Sequence, residues 1–122
     1  TCPSGGPLVQ HALVAMMESY FNGKISIEKI VEKMCHNPAK IFKIENRGFI
    51  KEGYFADLVI VNPHMPWNVK KENIIAKCGW SPFEGINFKS RVTHTFVNGK
   101  LAYANGKVKD CIAGQRLTFD RE

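Results

Sequence analysis

The sequence lacks each of the short signatures that mark a self-contained catalytic site. Its four histidines, His11, His36, His64 and His94, form no H-x-H or H-E-x-x-H pair, and none has a carboxylate or cysteine at ligand spacing. No G-x-S-x-G elbow offers a serine nucleophile, and no Walker or G-x-G-x-x-G loop offers a phosphate cradle. Paired carboxylates at helical spacing in a pocket pattern are not apparent. The four cysteines, Cys2, Cys35, Cys78 and Cys111, stand singly with no C-x-x-C pair, which argues against a zinc knuckle or a thioredoxin-like motif. They read as reduced thiols, and the expected location is cytoplasmic. No apolar run approaches the roughly 18 to 20 residues of a membrane-spanning helix. Residues 1–7 have neither the basic nor the apolar region of a secretory signal. They also lack an initiator Met and consist of loop-forming residues, so the chain is expected to be a piece of a longer one.

What is present is a globular composition. Hydrophobic residues make up 44% of the 122 positions and charged residues 23%. That is enough to bury a core without disulfides. The net charge of +6 raises nucleic acid as a partner. Lysines such as Lys70, Lys71 and Lys100 are scattered through turns and faces and form no block of like charge. A basic nucleic-acid-binding module is therefore the weakest reading.

The texture changes near residue 47. Before it, Gly6 and Pro7 are expected to open a first helix, with Val9, Leu13, Met16, Met17 and Tyr20 on one face and Gly23 as its stop. Ser26 is expected to cap a second helix with the stripe Ile27, Ile30, Val31 and Met34. Asn37-Pro38 signals a third start. After Gly48, Phe49-Ile50 reads as a short strand and residues 56–61 as a strand buried on both faces. Residues 64–89 read mostly as loop, with a helical turn at 71–75. Arg91 to Val97 alternates as a strand, Asn98-Gly99 is a type I′ hairpin turn, and residues 100–103 return. Asn105-Gly106 repeats the turn, and residues 116–119 form a last strand. Helices without intervening strands, then a small sheet, suggest an α+β domain or pieces of two domains.

The histidines read as structural. His11 lies among small and polar neighbours on an exposed helix face. His36 complements the dipole near a helix C-terminus. His94 alternates with Val92 and Phe96 in a sheet. One feature can hold a ligand: Ser4-Gly5-Gly6 ahead of a helix presents backbone N–H groups to an anion. A plain helix-entry turn is the alternative at that point.

Five segments, in order, resemble the C-terminal third of dihydroorotases of the amidohydrolase superfamily. They are Cys2-Pro3-Ser4-Gly5-Gly6-Pro7, Asn37-Pro38-Ala39-Lys40-Ile41, and Gly48 to Ile60 with its Ala56-Asp57-Leu58-Val59 core. Lys77-Cys78-Gly79-Trp80-Ser81-Pro82-Phe83-Glu84-Gly85 and Val92 to Lys100 complete the set. The second and third are common to many amidohydrolases. Ser81-Pro82-Phe83-Glu84-Gly85 narrows the resemblance to dihydroorotases and near relatives such as allantoinases, with an allantoinase- or hydantoinase-type parent as the alternative.

The resemblance implies an α/β parent. Residues 1–47 would be the final active-site loop and last helices of a (β/α)8 TIM barrel, and residues 48–122 the C-terminal strands of a small β-sandwich. It implies a zinc enzyme interconverting N-carbamoyl-L-aspartate and L-dihydroorotate, with the metal ligands and catalytic aspartate upstream. No catalytic or metal-binding residue is then expected in this chain, which alone would be inactive. Ser4 and Gly5 would touch the substrate through their backbone. The partners implied are that small molecule and the N-terminal barrel portion, with a homodimer as a further expectation and neither nucleic acid nor membrane.

Overall fold

The computed structural model describes residues 5–110 and 113–121. The chain divides into two compact units, each assembled from two separated stretches: Thr1–Lys24 with Asn62–Arg91, and Ile25–Val61 with Val92–Glu122.

In the first unit, helix α1 spans Ala12–Phe21. It starts later than Gly6-Pro7 predicts. Residues 6–11 form turns instead, with Leu8 N–H on the Gly6 carbonyl and His11 N–H on the Leu8 carbonyl. Tertiary bonds from Gln10 and His11 hold these turns, and they outweigh the local signal of Pro7. The buried stripe also differs: His11, Val14 and Met17 face inward, while Val9 is 95% exposed and Tyr20 is exposed. The predicted stop holds. Gly23 takes φ +70 and donates to the Tyr20 carbonyl, and Lys24 N–H reaches the Ser19 carbonyl. These two bonds satisfy carbonyls that the helix end would leave bare.

The second stretch of this unit carries a two-stranded antiparallel ribbon. Strand β2 (Trp67–Asn68) pairs with strand β3 (Asn87–Phe88), Trp67 opposite Phe88. Between them lie a 3-10 turn at Lys71–Asn73 and the loop through Ser81. The helical turn was expected and the ribbon was not, since two-residue strands carry no periodicity. Val69, Phe88 and Ser90 are buried here.

In the second unit, Ser26 caps helix α2 (Ile27–Val31), its Oγ accepting the Lys29 N–H at 3.2 Å. Ile30 is buried, but Ile27, Val31 and Met34 are exposed. Asn37-Pro38 does not begin a separate helix. A π-helical turn, Glu32–His36, joins α2 directly to helix α3 (Asn37–Ile41). Asn37 is helical in φ and ψ, and its N–H bonds the Glu32 carbonyl five residues back. Pro38 has no N–H to donate, and the widened turn accommodates its ring.

A four-stranded sheet follows in the order β1-β4-β5-β6, with β1 Leu58–Asn62, β4 Arg91–Val97, β5 Lys100–Ala104 and β6 Lys107–Val108. The β4–β5 and β5–β6 pairs are antiparallel. Asn98 and Gly99 both take positive φ at the β4–β5 turn, as do Asn105 and Gly106 at the next. Strand β1 is not buried on both faces as its composition predicts: Leu58, Val59 and Ile60 are all exposed. It lies at the sheet edge, and no layer among the described residues covers it. Phe49-Ile50 forms no strand, because the Phe49 ring stacks on His36 and Ile50 faces solvent. Residues 116–119 make a single bridge, Phe119 to Ile44, in place of a strand.

Gly48 is required by its surroundings. Its φ is +82, and a Cβ there would lie 2.5 Å from the Ala39 Cβ and 2.8 Å from the Cys35 carbonyl oxygen. The helix and the loop after it approach each other through this position.

Candidate functional site

The sequence places its candidate ligand contacts at Ser4 and Gly5. Ser4 lies outside the described residues. Gly5 and Gly6 are exposed, and space around Gly5 is open: a Cβ there would meet nothing within 4 Å. Because α1 begins only at Ala12, these glycines do not lead straight into a helix. An anion would meet individual backbone N–H groups here, not the end of a helix dipole.

The segment that follows is fixed by two consecutive side chains. The Gln10 amide donates from Nε2 to the Asn73 carbonyl at 2.7 Å, and its Oε1 accepts the Ile75 N–H at 2.8 Å. It thereby serves the backbone of residues 73–75 as a neighbouring strand would. His11 is 1% exposed, and its Nδ1 lies 3.0 Å from Ser81 Oγ. Its ring packs against three aromatic rings: Trp67 at 5.9 Å, Phe83 edge-on at 5.8 Å, and Phe88 stacked at 6.2 Å. Burial pushes the imidazole pKa below its ordinary value, because a charged ring would lose its hydration there.

The Ser81-Pro82-Phe83-Glu84-Gly85 segment folds as a turn around this contact. Ser81 Oγ accepts the Phe83 N–H at 3.2 Å, and the Ser81 carbonyl accepts the Glu84 N–H. Gly85, at φ +84, donates to the carbonyl of buried Val69. The Trp80 ring lies beside Gly6, 3.9 Å from where a Cβ would stand. The segment thus embraces residues 6–11.

His11 is a correction to the sequence reading, which put it on an exposed face. The available signal was its spacing, since His11, Val14 and Met17 recur every three residues on the buried stripe. His36 is likewise not at a helix C-terminus. It closes the π-helical turn and stacks on Phe49 at 4.3 Å and 6°. His64 is exposed in a loop, and His94 sits half-buried in β4 with its Nδ1 3.1 Å from Thr93 Oγ1. These side chains do not converge: among the described residues, no three His, Cys, Asp or Glu side chains gather in a metal-ligand arrangement. The residues described therefore do not fit a zinc site.

A cavity of about 420 Å³ in the second unit is lined by Lys40, Lys43, Arg47, Phe49, Tyr54 and Asp120 among others. Its cations are engaged. Arg47 pairs with Asp57, and Lys40 Nζ lies over the Phe49 ring at 5.7 Å. No described helix is long and apolar enough to cross a membrane.

The amidohydrolase family profile matches residues 4–102, and the chain belongs to that family. Within it, the chain is similar to the dihydroorotase of Pyrococcus horikoshii, 34% identical over 114 residues that cover 93% of this chain and 27% of that protein. It is 43% identical over 82 residues to the dihydroorotase of Endomicrobium trichonymphae, covering 67% of this chain and 19% of that one. A solved D-hydantoinase superposes with a TM-score of 0.80 at 26% identity, over 87% of this chain and 23% of that structure. The chain spans about a quarter of the length of the curated relatives it matches.

Proposed function

We propose that the chain is the C-terminal portion of a dihydroorotase, which interconverts L-dihydroorotate and N-carbamoyl-L-aspartate. The observation that carries this reading is the similarity to dihydroorotases over 93% of the chain. In the ring-opening direction, water adds to the cyclic amide carbonyl, the ring C–N bond breaks, and the nitrogen takes a proton. The resemblance implies a zinc in the whole enzyme. Its ligands and the proton-carrying aspartate belong, in this reading, to the part of the protein upstream.

This chain's share is the last helices of a (β/α)8 barrel and the C-terminal strands of a β-sandwich, with residues 1–47 and 48–122 divided between them. Active sites of such barrels sit at the C-terminal ends of the strands, the place this reading gives to the loop that carries Gly5. Ser4 and Gly5 touch the anionic substrate through their backbone, an approach that the open space around Gly5 supports. The exposed apolar strand β1 supports a covering layer supplied by the rest of the protein. The enzyme works in the cytoplasm, and a homodimer is its proposed assembly.

A second reading makes the whole protein a hydantoinase-type cyclic amidohydrolase, which the likeness to the D-hydantoinase structure favours. The test of the first reading is the full-length protein assayed in both directions with zinc content measured alongside. Ring opening of L-dihydroorotate and closure of N-carbamoyl-L-aspartate, both abolished by a chelator, are expected. A zinc-loaded, folded protein inert in both directions would rule it out.

A further inference from the structure

The His11 ring has one nitrogen in use and one without a partner. Nδ1 meets Ser81 Oγ, and Nε2 is buried with no hydrogen-bond partner. Two arrangements of protons are open to this pair. If Nδ1–H donated to Ser81 Oγ, the hydroxyl would already accept from Phe83 N–H as well, and its own hydrogen would lack a partner. Nε2 would then be a bare lone pair among aromatic rings. Two polar groups would go unmet. If Ser81 O–H donates to Nδ1, only the Nε2–H is left without a hydrogen-bond partner, on a ring packed against Trp67, Phe83 and Phe88. The second arrangement leaves fewer groups unmet and fixes the tautomer with hydrogen on Nε2.

This contact joins residues 70 positions apart, and Gln10 beside it joins residues 63 and 65 positions apart. All three bonds run from the end of the Gly5–Gly6 segment to the loop between β2 and β3. With α1 starting only at Ala12, helical hydrogen bonds do not order residues 5–10. Two turn bonds, Leu8 N–H to the Gly6 carbonyl and His11 N–H to the Leu8 carbonyl, link them to the held residues 10 and 11. We propose that neutral His11 is a positioning residue: by accepting the Ser81 hydroxyl, it locks the Ser81-Pro82-Phe83-Glu84-Gly85 turn onto the start of α1 and so sets the substrate-contacting backbone at Gly5. The last clause rests on the dihydroorotase reading. The Ser81 of the motif then acts through His11 and touches no substrate itself.

The experiment uses the full-length protein and three variants. His11→Phe keeps a ring in the aromatic cluster and removes the acceptor, Ser81→Ala removes the donor, and His11→Asn retains an acceptor near the place of Nδ1. Loss of the tie is expected to raise KM for dihydroorotate roughly fivefold or more with kcat little changed, about what one neutral hydrogen bond is worth in ground-state binding. His11→Phe and Ser81→Ala are expected to be non-additive when combined, and His11→Asn to recover most of the loss. An unchanged KM in His11→Phe, or full additivity of the two, overturns the proposal.

Two further readouts do not depend on the reaction. Nitrogen-15 spectra of the His11 ring are expected to show hydrogen on Nε2 and an acceptor Nδ1; the reverse tautomer contradicts the tie. Amide exchange at Leu8, Ile75 and Phe83 is expected to quicken in His11→Phe and to return in His11→Asn; exchange unchanged in His11→Phe contradicts it. If the wild type turns over no dihydroorotate, these two decide the tie alone and the failure belongs to the functional reading.

Discussion

The Asp57 carboxylate is shared between the Arg47 guanidinium and the turn of the β4–β5 hairpin. One oxygen pairs with Arg47, whose side chain is 9% exposed, and the other accepts the Asn98 N–H at 2.8 Å. Arg47 also lies over the Phe55 ring at 4.2 Å. The aspartate of the Ala56-Asp57-Leu58-Val59 motif thus ties the entry of β1 to a turn 41 residues away. Removing it strands a buried cation and an amide together. Asp57→Ala is expected to destabilise the protein by roughly 2–3 kcal/mol. Asp57→Asn, which keeps an acceptor for Asn98, costs less. Urea midpoints at unchanged slope measure the difference; equal losses would contradict the shared role.

Gly48 predicts a contrast between two glycines of nearly equal φ. Gly48→Ala meets both a left-handed backbone and overlap with Ala39 and Cys35, so a loss of roughly 3 kcal/mol or more is expected. Gly53→Ala, at φ +83 in open space, carries only the backbone cost of about 1–2 kcal/mol. Thermal or urea unfolding of the two variants tests the ranking, and equal losses would remove the packing argument.

Buried His11 predicts a pH dependence of stability. Its folded pKa lies below the ordinary imidazole value of about 6.5, so the unfolded chain binds the proton more readily. The contribution is complete above that ordinary value. It is lost as pH falls below it, down to the depressed folded value. Stability of the wild type is expected to decline through this range more steeply than that of His11→Phe. Parallel curves would show that His11 is not the group responsible.

The legible parts of the fold were those set by local chemistry. Ser26 caps, Gly23 stops a helix, and Asn98-Gly99 turns a hairpin, because each requirement lies within three or four residues. The missed parts were set at long range. Pro7 failed as a helix start because residues 73–81 hold Gln10 and His11. Asn37-Pro38 looked like a boundary because a π-helical turn leaves no mark in composition. The apolar β1 was expected to be buried, and its sequence fits a layer that the described residues do not contain. The motif order revealed the family, while the roles of Ser81 and Asp57 within it needed the partners that folding brings near.

The central claim is most directly tested by comparing kcat/KM of the full-length protein for L-dihydroorotate, allantoin and simple hydantoins under one set of conditions. The dihydroorotase account predicts that dihydroorotate is preferred by orders of magnitude. A preference for allantoin or a hydantoin would contradict it and move the protein to another branch of the amidohydrolase family.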